Sequence, residues 1–222
     1  SDPGADDYFG YSVAISGNYA IVGAYNEDGP SNDVVSNSGS AYIFDITDAS
    51  NQMNPVAKLR ASDAGSHDWF GMSVAISGNY AIVGARFEDG PKDNTGAAYI
   101  FDITSASGDM KPIARLRASD AGKNDEFGYS VAISGNYAIV GAYYEDGPSN
   151  SASDSGAAYI FNVENVYQEK GYAIGISNEK VEFRLATDAS QGTFEDLSKV
   201  VGDAVLDSLE WNHVAITNEA NS

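Results

Sequence analysis

Apolar and polar positions follow the same order along the chain three times. Each unit opens on FGYSVAIS or FGMSVAIS. In the first copy, period-two alternation puts Phe9, Tyr11, Val13 and Ile15 on one face of a strand and Gly10, Ser12, Ala14 and Ser16 on the other. The run YAIVGA that follows is apolar on both faces, as expected of a strand buried between layers. Between the two stands Gly17-Asn18, a two-residue loop of the kind that makes a tight primed hairpin turn. A third strand is predicted at AYIFDI (Ala41–Ile46) and a fourth at VAKLRAS (Val56–Ser62). No copy carries helical periodicity.

The units are metrically rigid. Phe-Gly recurs at Phe9, Phe70 and Phe127, with periods of 61 and 57 residues, and SVAISGNYAIVGA is identical in all three copies. Pro30, Pro91 and Pro148 each lie 21 residues past their Phe. All length variation falls between EDGP and AYIF, where the gaps are 12, 8 and 11 residues. That segment, rich in Ser, Asn, Asp and Gly, is a surface loop. Four antiparallel strands repeated at this period predict blades of a β-propeller, with a stacked solenoid as the alternative. Small residues such as Ser12, Ala14, Gly23 and Ala24 suit the close approach of neighbouring blades.

Composition narrows the functional classes. Acidic residues number 32 against 12 basic, a net charge of -20, so nucleic acid and anionic membrane are not expected partners. There is no cysteine, which removes disulfides and thiolate chemistry, and no apolar run is long enough for a membrane-spanning helix. The opening SDPGADD has no signal-peptide pattern and reads as a processed or cut end.

Phe9-Gly10 followed by Val22-Gly23-Ala24 resembles the FG-GAP repeat of integrin α subunits and of bacterial and algal surface proteins, in three copies over residues 1–163. The place of the family's Pro is taken by Tyr25, Arg86 and Tyr143. Its calcium loop between the first two strands is replaced by Gly17-Asn18, Gly78-Asn79 and Gly135-Asn136, and a two-residue turn cannot wrap a cation. The resemblance implies an extracellular or cell-surface protein that binds ligands through loops on one propeller face, the variable ones being Ser31–Ser40, Lys92–Ala97 and Ser149–Ala157. Residues 164–222 form a separate expected unit. A hairpin at Gly171–Thr187 and a strand at Ser208–Thr217 are similar to part of a laminin-G or concanavalin-like jelly roll. In a rival reading, GYAIGIS fills the fourth-strand slot of the third blade. The expected fold is therefore all-β, with three antiparallel blades of an incomplete propeller and a partial β-sandwich-like tail.

The strongest polar pattern pairs Asp2 with Asp7, Asp63 with Asp68, and Asp120 with Asp125. Two carboxylates bracketing a Gly-containing loop offer oxygen ligands to Ca²⁺. Against that, Ca²⁺ takes 6–8 oxygens, and Asp63 and its equivalents also suit Asx-turns that shape the blade-to-blade crossing. Glu27-Asp28, Glu88-Asp89 and Glu145-Asp146 of the EDGP turns either complete such a site or form solvated turns. His67 falls where the other copies carry Asp6 and Asn124, and His213 alternates with apolar residues, so neither suggests catalysis. Trp211 reads as sandwich core before sugar platform.

Three blades are fewer than the 4–8 that close a propeller, so the chain is expected to be a fragment of a larger repeat protein or a subunit completed between chains. The functional expectation is a non-enzymatic adhesion or structural protein making protein–protein or self-assembly contacts, the latter through open blade edges. The alternatives are a Ca²⁺-dependent glycan-binding module and a non-catalytic domain of a secreted hydrolase.

Overall fold

The computed structural model describes residues 6–28, 35–47, 54–146 and 154–163 in full, and the backbone of strands at 171–177, 180–186 and 194–196. Each repeat builds one antiparallel sheet, and the three sheets do not close a propeller. The first holds β1 (Val13–Ser16), β2 (Tyr19–Ala24), β3 (Ser40–Asp45) and β4 (Ala57–Leu59). In the second stand β5 (Ser73–Ser77), β6 (Tyr80–Ala85), β7 (Ala97–Asp102) and β9 (Ala114–Leu116). A short strand between the last two, β8 (Gly108–Met110), crosses back to pair in parallel with β4 of the first sheet. The third sheet has β10 (Phe127–Ser134), β11 (Tyr137–Ala142) and β12 (Ala157–Asn162), and continues through β13 (Gly171–Ser177), β14 (Lys180–Ala186) and β15 (Phe194–Asp196).

The Gly-Asn turns form as the sequence predicts. Ser16 faces Tyr19 across the first, and Gly17, Gly78 and Gly135 take φ of 56°, 54° and 54°, which favours glycine. Strict alternation through Phe-Gly does not hold. Gly10, Gly71 and Gly128 sit at φ 93°, 95° and 91°, and the register slips between Phe127 and Ser130. This bulge re-aims Tyr11 and Tyr129 away from the face that carries Val13 and Val131. The fourth strands are shorter than VAKLRAS, ending at Leu59 and Leu116. GYAIGIS does pair with β12 in the fourth-strand slot, with Ile174 opposite Ala158 where Leu59 faces Ala41. The strand expected at Ser208–Thr217, with Trp211 and His213, lies outside the described residues.

Cores lie between sheets. The rear face of the first sheet, with Ile21, Ala41, Ile43 and Leu59, packs on the front face of the second, with Val74, Ile76, Val83, Tyr99 and Phe101. The second and third sheets repeat this arrangement with Ile82, Ile100 and Leu116 against Val140, Tyr159 and Phe161. Phe70 and Phe127 are fully buried at these junctions, each edge-on to the Tyr and Phe of its own third strand. A Cβ on Gly23 would collide with the carbonyl of Gly71, and one on Gly84 with that of Gly128, so the closest approach demands glycine. Serines of the identical stretch join the inner strands. Ser12 Oγ accepts the amide of Val74 at 3.1 Å, Ser77 Oγ accepts that of Gly135 at 3.1 Å, and Ser73 donates to the carbonyl of Gly128 at 2.8 Å. Identity of the thirteen residues thus serves contact between copies.

Candidate functional site

Strand direction collects the chemistry at one end of the blades. The register Val13 to Val22, Ala24 to Ser40 and Ala41 to Leu59 brings the entry to the first strand, the variable loop and the inter-blade linker to the same end. The Gly-Asn hairpins occupy the other.

At the linkers, the paired aspartates have distinct tasks. Asp63 accepts the Tyr99 hydroxyl at 2.8 Å and pairs with Arg115, while Asp120 accepts the Tyr159 hydroxyl at 2.9 Å. The second member makes the local turn: Asp68 accepts the amide of Gly65 at 2.5 Å and Asp125 accepts that of Gly122. The amide-capping role expected for Asp63 falls to Asp68, while the Asp63 carboxylate is taken up by the Tyr99 hydroxyl and Arg115. The main-chain carbonyl of Asp7 accepts the amide of Asn26, and Asp2 lies outside the described residues. Among the described residues, no three His, Cys, Asp or Glu side chains are grouped to hold a metal ion.

The EDGP glutamates are not solvated turns. Glu27, Glu88 and Glu145 are buried. Glu27 accepts the Tyr42 hydroxyl at 2.5 Å and pairs with Lys58, with Arg60 at 3.6 Å, and Glu88 pairs with Arg117. The alternating basic residues of the fourth strand, flanking Leu59 or Leu116, neutralise the buried acid. In the third repeat, Ala173 and Gly175 stand at the matching register positions. Burial pushes the Glu88 carboxyl up, with Arg117 opposing. Asp68 moves from 3.8 to about 6, by burial first, against its bond to Gly65, with the charges of Glu88, Asp89 and Asp63 adding.

The neighbouring aspartate clasps the variable loop. Asp28, Asp89 and Asp146 accept the amides of Asn37, Asn94 and Asp154 at 2.8, 2.9 and 2.9 Å, and the carbonyls of Glu27, Glu88 and Glu145 accept Gly39, Gly96 and Gly156 at 2.9 Å. The clasp is the same although the loops differ in length. Past it, the main chain docks on the next repeat: His67 donates to Ser36 and Phe70 to Ser38. His67 itself is exposed in this linker.

A ladder of rings crosses the same end. Tyr8 stacks on Tyr25 at 5.3 Å, Tyr11 meets Tyr25 edge-on at 4.8 Å, Tyr25 meets Trp69 at 5.2 Å, and Trp69 meets Phe87 at 4.6 Å. Arg86 lies over Trp69, Phe87 and Tyr129, with Glu126 at 3.3 Å, and Tyr129 continues to Tyr143 and Tyr144. Tyr8, Trp69 and Glu126 hold left-handed φ of 52°, 58° and 55°, a strained choice for bulky residues that is repeated in each copy. Four positions of the repeat supply the ladder, three of them in the first and second copies and all four in the third, and all flank the identical thirteen residues. The sequence pattern showed only one of them, the departure from Pro at Tyr25, Arg86 and Tyr143. Aromatic residues clustering on both sides of an invariant stretch were the missed signal.

No curated protein matches the chain. The model of the FG-GAP repeat family matches residues 1–44, 53–101 and 111–161, more than half of the sequence and one match to each sheet, so the chain belongs to the FG-GAP repeat family.

Proposed function

We propose that this chain is a non-catalytic adhesion or structural module at the cell surface or in the extracellular space, making protein–protein contacts through the loop end of its blades. FG-GAP repeats are generally extracellular protein–protein interaction modules. The carrying observation is the surface itself, where a ring ladder whose Tyr8, Tyr11 and Tyr143 are more than half exposed crosses the same end of the blades as the clasped bases of the loops. Tyr, Trp and Arg are the residues that dominate protein interfaces. A second reading, a Ca²⁺-dependent glycan-binding module, draws on the same exposed rings and on the linker carboxylates Asp7, Asp63, Asp68, Asp120 and Asp125.

Attachment of the labelled chain to intact cells separates the two. Protein contact predicts attachment that trypsin treatment of the cells removes and that EDTA leaves unchanged. Loss on deglycosylation or on EDTA treatment instead selects the glycan reading, and no attachment to any surface sinks both.

A further inference from the structure

The two outer sheet faces of the chain are the two halves of a junction that it already builds twice. On the first sheet, the front face presents Phe9, Val13 and Ile15 at 56%, 66% and 68% exposure. The same residues in the second repeat, Phe70, Val74 and Ile76, are buried against the first sheet. On the third sheet, the rear face presents Tyr137 and Ile139, with Ile139 40% exposed, whereas Ile21 and Ile82 at that position are fully buried. Ser130 and Ser134, also open, match the serines that bond across the existing junctions. Gly141 keeps the flat approach that Gly23 and Gly84 provide.

We propose that a second copy of this chain docks its first sheet on the rear of the third, head to tail and face to face, reproducing the contacts between repeats one and two. The proposal rests on the protein-contact reading and names one partner for it. The contact is heterologous, since the two faces differ, so it either closes a ring or propagates. It also differs from strand addition at sheet edges, because the buried surface is side chain against side chain and the outer edge of the first sheet is already occupied by β8.

Sedimentation of the full chain and of two face variants tests this. Val13→Asp with Ile15→Asp spoils the front face, and Ile139→Asp spoils the rear. All three positions are exposed in the single chain, and circular dichroism confirms that each variant folds. The wild type is expected to associate at micromolar concentration, and each variant alone to be monomeric, its dissociation constant raised by about 100-fold or more. Mixing the two variants should restore one good junction and give a 1:1 dimer with nothing larger. A wild type that stays monomeric at its highest soluble concentration overturns the proposal. So does a mixture that remains monomeric, or a rear-face variant that still associates. Any of these outcomes leaves the protein-contact reading standing, because trypsin-sensitive attachment is read at the loop end and not on the sheet faces.

Discussion

Phe9 and Phe70 hold the same place in consecutive repeats, each edge-on to its own third-strand aromatics, yet Phe9 is 56% exposed and Phe70 fully buried. The difference is the sheet in front. The second repeat is covered by the rear face of the first, whereas among the described residues the front of the first repeat holds a small cluster of its own, Ala24, Tyr42 and Phe44. Identical sequence therefore contributes unequal stability. Most of the value of the repeat lies in its junctions, as nearest-neighbour coupling in repeat proteins requires.

The largest effect that separates the two repeats is at these phenylalanines. Phe70→Ala is expected to cost about 3–5 kcal/mol in urea unfolding, and Phe9→Ala under about 1.5 kcal/mol, because only the first leaves a closed cavity. Equal losses would show that the junction is not where stability resides. Next comes the close approach of backbones. Gly84→Ala puts a methyl group against the Gly128 carbonyl and should cost about 1–3 kcal/mol, whereas Gly141→Ala crowds the movable Ser130 hydroxyl and comes no nearer than 3.8 Å to a carbonyl, and should cost well under half of that. A thermal-melt comparison of the two variants reads this directly.

The smallest effect is the pH dependence at Asp68, buried where the second repeat begins. Its folded value of about 6 lies above the unfolded 3.8, so the native state holds the extra proton between those limits. Stability from this group is therefore present below about pH 4 and falls as pH rises to about 6, by about 1–2 kcal/mol after solvent screening. Burial raises Asp125 and Glu126 in the same direction. Melts from pH 4.5 to 8 should show the wild type losing stability across pH 5–6, with a shallower loss in Asp68→Asn. An unchanged slope in that variant would remove Asp68 as the source.

What was legible in the sequence was whatever repeats or alternates. Phe-Gly, the Gly-Asn turns and the constant spacing gave three antiparallel sheets, and the gap variation located the loops. Long-range polar pairing was hidden. Glu27 and Lys58 stand 31 residues apart, and nothing local in EDGP announces burial. β8 was invisible because SGDM has no apolar alternation. It becomes a strand only because β4 offers an unpaired edge, bonded in register Ala57 to Gly108 and Leu59 to Met110. The ring ladder escaped for a further reason. Its members change identity between copies, and the Phe-Gly bulge turns Tyr11 out of the face that alternation assigns to it.

β8 has a mechanical consequence. Because a loop of the second repeat forms the rim of the first sheet, the two repeats are latched as well as stacked. The first sheet can shed that rim only if the second gives up the segment between β7 and β9. A pull along the chain would load the latch in shear, along three parallel residue pairs, before it pried the stacked faces apart. Such a strap makes the first two sheets one load-bearing unit, which the third sheet joins by face packing.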